Sequence, residues 1–270
     1  PVYRNSVVRG AALLNNLDSV TISSTRLLQT RLLIQIMKKH IPNTITCCNL
    51  ICGCIATGFA LKGDFSMAMT FIVMGAVFDF FDGLTARALK VSSPIGKELD
   101  SLADDVTFGL APATIVFCYM NDALYYPHYL GAVADFLPYT AFLIAVFSAC
   151  RLAKFNVDKR QTNTFIGFPT PANALFWSSL VTGAGHWIFN LNAGWFLMLG
   201  LILLFSFFLV SEIPMFSLKF KNLSWESNRI RYIFILVSLP MLALGYLAPV
   251  VIITWYLLLS IILYLRNPQK

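Results

Sequence analysis

The chain has 270 residues, 57% hydrophobic and 12% charged; a soluble domain carries about twice that charged share. Apolar runs of about 20 residues recur along it, so it reads as an integral membrane protein and not a water-soluble fold. The net charge of +7 does not mark a nucleic-acid binder, because the basic residues lie in short segments between the apolar runs, as membrane orientation requires.

Residues 1–36 read as an N-terminal extension, with Met37-Lys38-Lys39 a natural start, or as an interfacial amphipathic segment. In the second case Leu27, Leu28, Leu32, Ile34 and Ile36 face lipid, and Arg26, Arg31, Lys38 and Lys39 face headgroups. Spans are then expected over residues 42–61, 66–89, 95–119, 138–155, 171–189 and 193–210. A polar loop is expected over 120–136 and another over 156–168. Residues 37–211 form a transmembrane core. Residues 212–270 form a polar connection followed by a hairpin of two further spans, 232–247 and 249–265, making about eight in all. This topology places nineteen of the twenty lysines and arginines on one side, with Lys62 alone on the other. By the positive-inside bias, both termini face the cytoplasm. Six cysteines are present, four of them between Cys47 and Cys54. Their spacing does not suit zinc, and small buried thiols are expected.

The informative polar residues are Asp79, Asp82, Asp100 and Asp104. The first pair is three residues apart and the second four, so each pair projects from one helical face. A turn near residues 91–94 would bring all four together, at the cytoplasmic side. Unpaired carboxylates at membrane depth repel one another and are costly to desolvate. Hard oxygen ligands suit Mg²⁺ or Mn²⁺, and four carboxylates can hold two ions. Gly83 and Gly96 remove bulk where phosphates or facing helices come close. Ala86 keeps the same face open, and Arg87 offers a planar fork of donors to a phosphate. Asp105, next to the last aspartate, reads as a helix-surface or hydrogen-bonding residue.

These residues spell Asp-x2-Asp-Gly-x2-Ala-Arg-x8-Gly-x3-Asp-x3-Asp over 79–104. The stretch resembles the signature of the CDP-alcohol phosphotransferase family, with every fixed position filled. Ile41–Thr46, Arg151–Asn156 and Gly167–Asn173 resemble its phosphatidylserine synthase branch. The resemblance implies an all-α membrane protein with a six-helix core, here with two C-terminal helices added, homodimeric in a bacterial inner membrane. It implies transfer of a phosphatidyl group from CDP-diacylglycerol to L-serine, with release of CMP. Asp79, Asp82, Asp100 and Asp104 correspond to the metal ligands, Asp104 also to the general base. Gly83, Ala86 and Arg87, with Asn43 and Thr46, correspond to the CDP pocket.

Serine needs a cation for its carboxylate and oxygens for its ammonium. Arg151, Lys154, Lys159 and Arg160 are the cations at hand, and Asn156, Asp158 and Asn173 could supply oxygens; Arg151 and Asn156 come first, at the end of a helix. Two other readings remain open. Glycerol 3-phosphate or an inositol phosphate could be the acceptor, or the acidic residues could line a divalent-cation path.

Overall fold

A computed structural model of the chain describes residues 38, 40–158, 165–215 and 224–266. The two readings of residues 1–36 lie outside them. Helix α1 spans His40–Leu61, so it is already helical before Pro42. After the turn Lys62-Gly63-Asp64, with Gly63 at φ 75°, α2 runs over Phe65–Leu89. Asp64 starts it by accepting the amide hydrogen of Met67 at 3.0 Å, and Lys90 ends it in the left-handed conformation. Ser93 then caps the next helix by accepting from the Gly96 amide at 2.9 Å, with Pro94 in its first turn. These are the start and stop chemistries expected of Asp, Ser and Pro. They fix the short α2–α3 turn that the aspartate spacing demanded.

Helix α3, Pro94–Asp122, is wound as a π turn over Asp105–Leu110, directly after Asp104. Extra-wide turns of this kind are frequent at functional sites. The π turn presses Thr107 against α1, where its hydroxyl donates to the Asn49 carbonyl at 3.0 Å. Glycines make that approach possible. A Cβ on Gly53 would lie 2.4 Å from Thr107 Oγ1, and one on Gly75 of α2 would lie 2.5 Å from Thr107 Cγ2. Helices α1, α2 and α3 thus cross tightly around one threonine.

The polar loop expected over 120–136 is largely wound instead. Helix α4 spans His128–Val157, its first half a 3-10 helix over His128–Phe142 that kinks at Gly131. Between Pro127 and Pro138 the residues are mostly apolar, with Asp135 the only Asp, Glu, Lys or Arg among them; further along α4, Tyr139 and Phe142 pack on Phe117 of α3, with ring centroids 5.1 and 5.2 Å away. Helix α5, Thr170–Phe189, is the inner helix; Asn173, Trp177, Ser178 and Ser179 are all fully buried. Its neighbours are protein and not lipid, so it can carry polar side chains. Helix α6, Gly194–Val210, is uniformly apolar.

Two short strands, β1 (Phe165–Ile166) and β2 (Pro214–Met215), pair antiparallel. Beside them Gly167, at φ 81°, donates to the Ile213 carbonyl and Phe168 to that of Phe208. A side chain on Gly167 would meet two backbone oxygens within 3.1 Å. The entry to α5 is therefore strapped to the end of α6.

Helices α7 (Trp225–Met241) and α8 (Ala248–Arg266) form the closing hairpin, turned through Gly245 at φ 59°. By length and composition, α1, α2, α3, α4 and the stretch Asn228–Arg266 are able to cross a membrane, and α6 is a shorter apolar helix. The fold is that of an all-α membrane protein. All six cysteines are free thiols, but only Cys52 and Cys118 are buried; Cys47, Cys54 and Cys150 are exposed. Burial is thus not the common property of these cysteines, because α1 turns most of its circumference away from the bundle.

Candidate metal and nucleotide site

The last third of α2 and the first third of α3 meet at one end of the bundle. Asp79, Asp82 and Asp100 each offer a carboxylate oxygen, and these oxygens lie within 4.8 Å of one another. Asp104, one turn deeper on α3 and 9% exposed, has its carboxyl against that of Asp79. Helix α1 supplies the wall behind them. Thr46 donates to Asp82 Oδ2 at 2.6 Å, and Asn49 donates its amide to Asp104 Oδ1 at 3.1 Å.

Among the described residues no lysine or arginine nitrogen lies within 4 Å of these four carboxylates. Arg87, Lys90 and Lys97 lie in the same stretch of sequence, yet none of them forms an ion pair with these aspartates; Arg87 acts on Asp82 only at longer range. Asp100 Oδ1 is buried without a hydrogen-bond partner. Converging hard oxygens, one of them orphaned, with no lysine or arginine in ion-pair contact among the described residues, fit a divalent cation of the Mg²⁺ or Mn²⁺ type.

A cavity of about 300 Å³ opens beside the aspartates. Asn43 and Thr46 of α1, Gly83 and Ala86 of α2, and Gly96 and Lys97 of α3 line it, with Asp82 and Asp100 at its floor. Gly96 has no room for a side chain, since a Cβ would come within 2.9 Å of Asn43 Oδ1 and Ser93 Oγ. The Arg87 guanidinium lies over Gly83, where it borders the cavity without lining it.

The three residues expected around an acceptor separate. Arg151, 8% exposed, lies within electrostatic range of Asp104. It donates to Thr170 Oγ1 at 3.2 Å and sits over the Phe155 ring. Lys154 turns away, to Glu212 Oε1 at 3.2 Å and the Val210 carbonyl. Asn156 joins α4 to α3, donating to Ser101 Oγ at 2.7 Å and accepting from Lys97 Nζ at 2.9 Å.

Asn49 was not singled out from the sequence, yet it is fully buried and touches the deepest aspartate. A signal was there: Asn43, Thr46 and Asn49 recur every three residues along an otherwise apolar span, which aligns them on one helical face.

A polytopic helical membrane protein with a carboxylate cluster and a nucleotide-sized cavity at one end of its bundle has the makings of a membrane-embedded enzyme. Sequence comparison narrows the class. The chain belongs to the family described as CDP-alcohol phosphatidyltransferase, which matches residues 39–210. That match covers α1 to α6, and so both the cluster and the cavity. A Bacillus subtilis relative is 39% identical over 49% of this chain and 70% of its own length. A Helicobacter pylori relative is 30% identical over 84% of this chain and 95% of its own. One from Mycobacterium leprae is 32% identical over 83% and 70%. All three bear the name CDP-diacylglycerol–serine O-phosphatidyltransferase.

Proposed function

We propose that this chain transfers the phosphatidyl group of CDP-diacylglycerol to L-serine, giving phosphatidylserine and CMP. The observation that carries this reading is the set of four carboxylates, none in an ion pair among the described residues, beside a cavity fit for a nucleotide. The serine acceptor rests on the names of the relatives and on the buried Arg151 next to Asp104.

Each side chain then has work that its position allows. Asn43 and Thr46 border the nucleotide, and the bare backbone at Gly83 and Gly96 lets the pyrophosphate approach. Arg87 contributes its guanidinium fork at the cavity edge. Asp79, Asp82, Asp100 and Asp104 would hold divalent ions, Mg²⁺ or Mn²⁺. Such ions, when bound, would neutralise the pyrophosphate and polarise the phosphorus under attack. Asn49 orients the Asp104 carboxyl by donating to one of its oxygens, and Asp104 takes the serine hydroxyl proton. As that proton leaves, the serine oxygen bonds to the lipid-side phosphorus and the bond from phosphorus to the CMP oxygen breaks. CMP departs with that electron pair. Arg151 faces the serine carboxylate. Lys154, tied to Glu212, and Asn156, tied to Ser101, hold α4 in place.

The protein works as a homodimer in a bacterial inner membrane. Its eight spans put the site and both termini in the cytoplasm, where nineteen of its twenty basic residues gather.

An acceptor screen tests the reading. Purified protein with CDP-diacylglycerol and Mn²⁺ is offered serine, glycerol 3-phosphate, inositol phosphate or choline in turn, and CMP is measured. Release with serine alone is expected. Release with a phosphorylated acceptor instead, or metal flux into liposomes without lipid turnover, overturns it.

A further inference from the structure

Two buried donors, one on α5 and one on α4, lack acceptors. The first belongs to Asn173, which is fully buried on α5. Its amide oxygen accepts from Trp177 Nε1 at 3.1 Å. An indole nitrogen only donates, so this bond settles which end of the amide is oxygen and leaves Nδ2 facing away from it. Nδ2 has no partner. Trp177 cannot easily yield, since it is itself fully buried and packs edge-on to Phe176 and Phe205 at 5.4 and 5.7 Å. The second donor is Nε of Arg151, also buried and unpartnered. The two are linked through α5. Arg151 docks on Thr170, and Asn173 follows Thr170 by one turn on the same helical face.

We infer that Asn173 is a recognition residue for the acceptor, its amide N–H and the Arg151 Nε–H together receiving the carboxylate of an amino acid. This rests on the serine reading above and deepens it. It also reverses the role expected of Asn173 from the sequence, where it could supply oxygen to an ammonium group; Trp177 already occupies that oxygen. One cationic and one neutral donor suit a planar, singly charged carboxylate. A phosphate dianion calls for a denser set of cations. The strap at Gly167 and Phe168 gives the pair its rigidity, because it fixes where α5 begins.

The test compares L-serine with L-serinamide, which keeps the hydroxyl and the ammonium but lacks the carboxylate. Asn173→Asp preserves shape and the Trp177 bond while turning the donor into a repelling oxygen. Its KM for serine should rise about tenfold or more, with KM for CDP-diacylglycerol unchanged and the preference for serine over serinamide reduced. Trp177→Phe, which frees the amide to rotate, should raise the serine KM by less. If Asn173→Asp does not fold, Asn173→Ala is read the same way. A variant that folds, yet keeps the serine KM and the serine-to-serinamide ratio within about twofold of the parent, overturns the assignment. Failure of the parent protein itself to release CMP with serine would instead sink the acceptor reading, and this inference with it.

Discussion

The crossing of α1, α2 and α3 and the joint between α5 and the α7–α8 hairpin are both close helix contacts seeded with small and hydroxyl residues. At the joint every polar group contributed by Ser179 is used. Its hydroxyl donates to the Tyr246 carbonyl at 2.6 Å and accepts the Val250 amide at 2.9 Å, while Gly183 lets the hairpin backbone come within 2.9 Å of where a side chain would begin. At the crossing, by contrast, Asn49 Oδ1, Asp100 Oδ1 and Asp105 Oδ1 are buried and unpartnered. A satisfied contact of this kind holds helices together. An unsatisfied one holds them ready for something else, since unmade buried hydrogen bonds cost about 1–3 kcal/mol each and are retained at a stability penalty.

The largest expected effect lies at the crossing. Asp79→Ala or Asp100→Ala should lower serine-dependent CMP release by about 10²- to 10³-fold. Thermal unfolding of the metal-free variants should occur no lower than in the parent, because like-charge repulsion is relieved. A variant retaining a large part of the activity, or one that simply unfolds, would erase the distinction between the two regions. Next in size is Gly53→Ala. The added methyl meets Thr107 at 2.4 Å and should cost about 1–3 kcal/mol, read as a lower melting temperature. Gly58→Ala on the same helix meets nothing within 4 Å and should be neutral or stabilising by up to about 1 kcal/mol. Equal behaviour of the two would mean that α1 and α3 are not packed as described. The smallest effect on turnover belongs to the joint. Ser179→Ala leaves the Val250 amide and the Tyr246 carbonyl without their partner; it should cost about 1–3 kcal/mol and leave CMP release per folded molecule unchanged, and a selective loss of turnover would show that the hairpin does more than brace α5.

Much of this could be read from the residues in order. The aspartates declare themselves because three- and four-residue spacings on helices admit one facing arrangement, and Ser93-Pro94 announces the turn between them. Asn49 was missed because an asparagine in a span looks the same whether it meets a carboxylate or a backbone group of the next helix, and only the three-residue recurrence of Asn43, Thr46 and Asn49 hinted at the former. Lys154 and Arg151 are one turn apart with the same charge, and only the position of Glu212 after α6 separates their fates. For Asn173 the donor or acceptor role hinges on Trp177, four residues on, whose indole could equally have faced lipid. The stretch before Pro138 misled through Asn121, Asp122, His128 and Asp135; between Pro127 and Pro138 its residues are otherwise mostly apolar, and they wind.

The wide turn at Asp105–Leu110 ties the two halves of α3 to each other in phase. Each residue of an α-helix accounts for about 100° of rotation. Dropping one residue there would let the segment relax to ordinary winding, and would swing Asp100 and Asp104 about the helix axis relative to the anchored half, Ala111–Asp122. Thr107 would leave α1 in the same movement. Over evolutionary time this stretch is therefore held to a fixed length, and an alignment of descendants should show no gaps within it.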